Sequence, residues 1–252
     1  MLFSPLIILG ALALILIISG LLEFKYHQQV LLTIPCRIHV NGTRGKSSVT
    51  RLIAAGLRAG GKRTFAKTTG TAPRVIDAQG IDRIIHRLRK PSIGEQVRLL
   101  KYFSDENPDV VVMECMAVQP QYQWISEHQM VKSDIGVITN ARPDHLDEMG
   151  PTEEDVAKSL CNSIPTNGTL ITAEEKHKNI LQSVANSNKS DIVFSDESTI
   201  TMDELNKFKY IEHPQNIAIA LDVCDKMGIK RDIALKGMHS VQPDLGLSLI
   251  HI

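Results

Sequence analysis

"HVNGTRGKSSVTRL", residues 39–52, sets a glycine turn, a lysine and two serines between two apolar segments of different period. Upstream, "CRIHV" (36–40) reads as a strand. Downstream of Lys46, the apolar positions Val49, Leu52, Ile53, Gly56 and Leu57 keep helical spacing, and Gly60-Gly61 supplies a stop. The turn therefore joins a strand to a helix. The usual phosphate-binding pattern, G-x-x-x-x-G-K-[ST], asks for a glycine at position 40. This chain has Val40 there, with Gly42 standing close before Gly45.

The placement still suits phosphate chemistry. Backbone N–H groups at a helix N-terminus attract anions, helped by the positive end of the helix dipole. The glycines permit close approach, Lys46 supplies a point charge to outer phosphates, and the Ser47 hydroxyl is a ligand type suited to Mg²⁺. The competing reading of G-x-x-G-K-S is an ordinary glycine turn with a solvated lysine. A preceding strand and a following amphipathic helix favour the nucleotide site.

The rest of the chain alternates in the same way. "RTFAK" (63–67) reads as a second strand. Ser92 to Glu95, S-x-x-E, reads as a capping box opening a helix that ends near Asn107-Pro108. "DVVVMEC" (109–115) and "DIGVITN" (134–140) are continuous apolar runs, and the polar loop "ARPDHLDEMGP" follows the second. A helix from Thr152, a turn at Asn167-Gly168 and the strand "TLIT" come next. The last clear helix runs from about Asn216 to Met227, ended by Gly228. Buried strands alternating with helices predict an α/β fold with a mostly parallel sheet flanked by helices. The chain shows no internal repeat and no low-complexity linker.

Two further features gather near the same sheet edge. Glu114 ends an apolar strand at the carboxyl edge, where ligands bind in such folds. A carboxylate among "VVVM" is costly unless it meets a cation, so Mg²⁺ shared by Ser47 and Glu114 is one reading and a salt-bridged structural glutamate the other. The loop "TNARPDHLDEMG" (139–150) also follows a strand there and carries Asp144, His145, Asp147 and Glu148. Mg²⁺ prefers oxygen ligands, so this loop alone does not make His145 a ligand.

Composition sets the outer bounds. The 252 residues carry 28 basic and 28 acidic side chains and are 43% hydrophobic, enough for one or two globular domains and giving no reason to expect nucleic acid as a partner. Cys36, Cys115, Cys161 and Cys224 stand far apart, as reduced thiols do. The N-terminus differs from the rest: Leu2 to Leu22 is uncharged, and as a helix it spans roughly 31 Å, the thickness of a hydrocarbon core. No basic residue precedes it and no clean cleavage site ends it, which favours an anchor over a signal peptide. Lys25 and Arg37 lie on its C-terminal side, so the expected topology is a single-pass helix in a bacterial cell membrane with a cytoplasmic body.

Four stretches in order, "NGTRGKSS" (41–48), "DVVVMECMA" (109–117), "ITNARPDHLDEMGP" (138–151) and "HPQNIAIALDVCDKMGI" (213–229), resemble the Mur ligase family of ATP-dependent amide-forming enzymes. In that family the short loop G-T-x-G-K-[ST] is the normal nucleotide loop, so Val40 is no defect. The hydrophobic segment before the loop, with "AKTTGTAPRVI" (66–76), "SIGEQ" (92–96), "ECMAVQP" (114–120) and "DHLDEMGP" (144–151), resembles most closely the ligase subunits of poly-γ-glutamate synthases.

The resemblance implies a Mur ligase central-domain fold in which Asn41, Gly42, Thr43, Arg44, Gly45, Lys46, Ser47 and Ser48 hold ATP. It implies Lys46, Glu114 and His145 as the catalytic set. Ser47 and Glu114 would ligate one Mg²⁺, His145 would stand at a second metal position, and Asn216 would contact adenine. Asn216 lies in "HPQN" where other members have H-N-x-x-N.

On this reading residues 1–23 form the transmembrane anchor and 24–244 the ATP-binding domain. Family members continue into another α/β domain, whereas similarity here ends near Leu245, leaving 245–252 as an aberrant or truncated tail. The implied activity is extension of poly-γ-glutamate through an acyl phosphate. Its implied partners are glutamate, the growing chain, other membrane subunits of the synthase and membrane lipid. The alternatives are a membrane-tethered P-loop NTPase that switches or exports, and a non-catalytic assembly subunit. "IDRIIHRLRKP" (81–91) carries Arg83, Arg87, Arg89 and Lys90, read either as a solvated basic face or as guidance for a polyanion or anionic lipid.

Overall fold

The computed structural model describes residues 5–70, 72–87 and 91–242. In chain order its elements are α1 (Pro5–Leu32), β1 (Cys36–Asn41), α2 (Lys46–Ala59), β2 (Thr64–Thr68), β3 (Arg74–Ile76), β4 (Asp82–Ile84) and α3 (Glu95–Asp105). There follow β5 (Val110–Glu114), α4 (Pro120–Ile125), which passes into a π-helical turn (Ser126–Val131), β6 (Ile135–Ile138), α5 (Leu146–Met149) and α6 (Glu153–Leu160). The chain then forms β7 (Thr169–Thr172), α7 (Lys178–Ser187), β8 (Asp191–Phe194), α8 (Met202–Leu205), α9 (Pro214–Lys226) and α10 (Arg231–Met238).

The described strands form one eight-stranded sheet in the order β4-β3-β2-β5-β1-β6-β7-β8. Pairing is parallel from β2 to β8, and β3 and β4 add an antiparallel edge. Apolar strands buried on both faces demand cover on both sides. Ile38, Val40, Val110 and Val112 point to one face, under α2, α9 and α10. Val111 and Met113 point to the other, where Leu100 and Phe103 of α3 and Leu31 of α1 cover them. A third cluster, including Val156 and Leu160 of α6, packs on Ile138 and Leu170.

The connections position the site. From β1 the chain crosses through α2 to β2, returns to place β5 between β2 and β1, and then lays β6 on the other side of β1. Strand order thus diverges on either side of β1, and the crevice at its carboxyl end is where such sheets bind ligands. Register brings Val40 opposite Glu114 on β5 and Asn41 opposite Ile138 on β6.

Several local expectations change. The helix expected to end with the anchor at residue 23 does not stop there: α1 runs unbroken to Leu32 and buries His27, Val30 and Leu31 against the body. The S-x-x-E signature does not form a capping box: Gly94 takes the cap position without a side-chain bond, and Glu95 pairs with Arg87 instead. Thr152 does cap α6, through a reciprocal box with Asp155. The helix expected from about Asn216 starts at Pro214, and a further helix, α10, follows it. The expected tail at 245–252 lies outside the described residues, as do Arg89 and Lys90.

Candidate functional site

The glycine loop is held by the strand beside it. Gly42 has φ of 133°, and a Cβ there would lie 2.0 Å from Thr139 Oγ1. Gly45 has φ of 83°, and its Cβ would meet Asn216 Oδ1 at 2.7 Å. Both positions require glycine, for the backbone angle and for the space. Asn140, just after β6, then latches the loop: its main-chain carbonyl accepts from Thr43 N at 3.0 Å, and its Oδ1 accepts from Thr43 Oγ1 at 2.7 Å. Thr139 Oγ1 donates to the Arg44 carbonyl at 2.6 Å.

The Asn41 side chain turns inward. Its Nδ2 donates to Gln123 Oε1 at 2.9 Å and its Oδ1 accepts from Gly42 N at 2.9 Å, so it shapes the loop from below. No side chain caps the N-terminus of α2, and Gly45 to Ser48 line a cleft of about 720 Å³. Lys46 Nζ lies back over the loop, donating to the carbonyls of Gly42 (2.7 Å) and Thr43 (3.3 Å). Arg44 reaches outward and pairs with Asp144 at 3.5 Å.

Glu114 meets Ser47 as the register requires. Only 2% exposed, its carboxylate accepts from Ser47 Oγ at 2.9 Å, from Thr69 N at 2.7 Å and from Thr69 Oγ1. These bonds satisfy a buried carboxylate with no salt bridge among the described residues, which is not the ion-paired arrangement. The donor set suits a hard cation. A serine hydroxyl and a carboxylate at the phosphate end of the cleft are oxygen ligands of the kind Mg²⁺ takes while keeping waters and phosphates for its other positions. Among the described residues no cluster of three His, Cys, Asp or Glu is arranged to hold a metal by itself.

The opposite wall comes from the start of α9. Asn216, 4% exposed, donates from Nδ2 to Glu212 Oε1 at 2.8 Å and lies against Gly45. Burial pushes the Glu212 carboxyl up, against the Asn216 hydrogen bond that pulls it down. His213, Pro214 and Gln215 continue this wall.

His145 stands elsewhere. In the left-handed region at φ 47°, it opens α5 with a half-exposed ring 4.0 Å from Asp144. It lines a smaller cavity of about 190 Å³ on the other side of Lys46, together with Asp144, Arg87 and Cys115. Lys46, Thr43 and Thr69 border both cavities. The structure therefore groups the loop, Ser47, Glu114 and Asn216 around one cleft, and places His145 in the adjoining one.

Sequence reasoning did not single out Thr69, Asn140 or Arg142 as site residues. Thr69 follows β2 and Asn140 follows β6, so a polar residue at the carboxyl end of each strand is the signal that finds them. Glu212 carries no such signal. The basic run is divided: Arg83 is exposed and pairs with Asp77, whereas Arg87 turns inward to Glu95.

The profile of the Mur ligase middle domain matches residues 40–242. The chain is 39% identical over 250 residues to the capsule biosynthesis protein CapB of Bacillus anthracis, covering 97% of this chain and 53% of that protein. It is 37% identical over 234 residues to the PGA synthase CapB of Bacillus subtilis, covering 92% and 60%. The chain thus spans little more than half the length of these curated relatives. Among solved structures, the fold is similar to the bifunctional folylpolyglutamate synthase/dihydrofolate synthase of Yersinia pestis complexed with AMPPNP and Mn ion. The TM-score is 0.64 at 16% identity, covering 88% of this chain and 61% of that one.

Proposed function

The chain belongs to the Mur ligase family, and on that premise we propose that it is the nucleotide-binding part of an ATP-dependent ligase extending poly-γ-glutamate at a bacterial membrane. The observation that carries this reading is the pair of cavities meeting at Lys46. The larger has a phosphate-binding loop at one end and the Glu212–Asn216 wall beside it, which suits ATP with its base toward Asn216. The smaller begins where the outermost phosphate would end, which suits an acceptor carboxylate.

In this arrangement a carboxylate oxygen of the acceptor attacks the terminal phosphorus, and ADP leaves with the broken P–O bond. The amine of glutamate then attacks the acyl phosphate, and inorganic phosphate departs as the amide forms. Lys46 moves its ammonium from the Gly42 and Thr43 carbonyls onto the transferring group, stabilising charge there by position. Mg²⁺, when bound, neutralises phosphate charge, and Ser47 and Glu114 are the residues that would hold it. Glu114 also fixes Thr69 at the boundary between the cavities. His145, beside the acceptor cavity, is the candidate for a second metal position.

The membrane assignment rests on α1. Among the described residues it is the one helix long and apolar enough to cross a bilayer, and Leu6 to Leu22 is exposed. With Lys25 following, the reading is a single-pass anchor and a cytoplasmic body, in contact with lipid and with other membrane subunits of the synthase. The deciding experiment measures ADP release by the detergent-solubilised protein with a γ-linked acceptor. Release that requires added glutamate is expected. Equal release without glutamate points instead to a tethered NTPase, and ATP binding with no release under any condition points to an assembly subunit.

A further inference from the structure

The small cavity carries a cationic group that the nucleotide does not need. Arg87 donates from Nε to Glu95 Oε2 at 2.6 Å and from Nη2 to Glu95 Oε1 at 2.9 Å, a two-point clamp that fixes the guanidinium plane. Its remaining nitrogen, Nη1, has no hydrogen-bond partner among the described residues, and Arg87 lines the cavity. Glu95 is itself nearly buried and does not belong to Arg87 alone. Lys67, fully buried, places Nζ 3.8 Å from Glu95 Oε1 and makes no hydrogen bond there.

Glu95 is shared within this group. Burial works against the Lys67 ammonium, which relies on Glu95 first and Glu114 second. The Arg87 hydrogen bonds hold the Glu95 carboxyl below its ordinary value. Glu95 thus faces both Arg87 and Lys67, and Arg87 Nη1 remains a donor without a partner among the described residues. Asp144 also lines the cavity, but Arg44 lies 3.5 Å and His145 4.0 Å from its oxygens. Lys46, on the shared border, adds a further positive charge. An anion is what this wall lacks.

Size narrows the ligand. At about 190 Å³ the cavity is below the roughly 300 Å³ at which pockets begin to enclose a whole small ligand. It fits the end of a chain. We propose that Arg87 binds a carboxylate of the polycarboxylate acceptor, the end of a γ-linked glutamate chain, and that Glu95 and Lys67 are positioning residues which hold its guanidinium toward Lys46. This inference rests on the ligase reading above and adds the residue that selects its acceptor.

The test titrates a short γ-linked glutamate oligomer into the full chain with a non-hydrolysable ATP analogue and Mg²⁺, and separately measures oligomer-dependent ADP release. For Arg87→Gln the oligomer KM and Kd rise about tenfold or more, the scale of losing one charged contact, while kcat and nucleotide affinity change far less. Arg87→Lys recovers part of the loss. Because Arg87→Gln leaves Glu95 with Lys67 as its charged partner, the melting temperature of Arg87→Gln is measured alongside; a folded variant with parental nucleotide affinity makes the loss of oligomer binding local to Arg87.

Unchanged oligomer affinity in Arg87→Gln, with the parent turning over, overturns the inference and leaves the ligase reading standing. A parent that binds the nucleotide but neither binds nor uses the oligomer removes both. A fall in nucleotide affinity as large as the fall for oligomer assigns Arg87 a structural role and overturns the inference as well.

Discussion

Ser47 Oγ and Glu114 Oε2 lie 2.9 Å apart, joining the first turn of α2 to the last residue of β5. The contact follows from strand register, since Val40 pairs with Glu114 and the loop leaves β1 one residue later. A serine and a carboxylate that already touch need only small rotations to share a cation. Glu114→Gln is therefore expected to weaken Mg²⁺-dependent nucleotide binding by about tenfold or more, with little effect on binding in chelator. Fluorescent-nucleotide titrations with and without Mg²⁺ check this. Equal losses in both conditions would place Glu114 outside the metal site.

Lys46 is held by two loop carbonyls and, among the described residues, by no carboxylate. Removing it leaves no buried charge unpaired, so the fold tolerates Lys46→Ala. Nucleotide affinity should fall at least about tenfold, as for a lost charged contact, while the melting temperature stays close to that of the parent. Parental affinity in this variant contradicts the loop assignment.

The loop and its strand–helix setting were legible in the sequence because their signals are local. A strand period gives way to a helical one across residues 39–52, and Gly42 and Gly45 mark the turn. Glu114 was legible for a related reason, as a carboxylate closing an apolar run. The Arg87–Glu95 clamp was not. Glu95 sits three residues after Ser92, the spacing of a capping box, and only the return of the chain from β4 brings Arg87 to it. Tertiary pairing overrode a local signal. The short edge strands β3 and β4 and the half-exposed β8 lack the apolar runs that announce a buried strand. The π-helical turn after α4 has no sequence period of its own.

His39 and Glu127 form a buried pair at 2.8 Å, another contact that sequence alone did not suggest. Burial alone pulls the imidazolium down, but Cys115 and Glu127 beside the ring outweigh it and raise the His39 pKa to about 10. An unfolded histidine titrates near 6.5. The protonated ring is thus favoured in the folded state, so its contribution is complete below about pH 6.5 and is lost as pH rises toward 10. Urea unfolding across that window should show parental stability falling more steeply than that of His39→Gln. Parallel curves would mean that the pair carries no proton linkage.

The last turns of α1 belong to the body even though its first turns do not. Pro5 to Tyr26 is exposed throughout, whereas Leu31 and Ile34 are 3% and 2% exposed within the cluster of Phe65, Leu100 and Phe103. Polar contacts fix the same segment: His27 Nε2 bonds the Met130 carbonyl at 2.7 Å, and Arg37 Nη1 donates to the Leu31 carbonyl at 2.5 Å. On the membrane reading proposed above, an anchor attached in this way would hold the body close to the bilayer rather than on a slack tether. The two halves of the helix should therefore separate in truncation. A chain beginning at Glu23 loses only exposed apolar surface, and is expected to become soluble with nearly parental melting. A chain beginning at Cys36 loses Leu31 and Ile34 from the core, each worth about 1.5–3 kcal/mol of burial, and exposes Phe103 and Leu100. It should melt several degrees lower or aggregate. Calorimetry on the two truncations measures the difference, and equal melting temperatures would show that the end of α1 does not contribute to the fold.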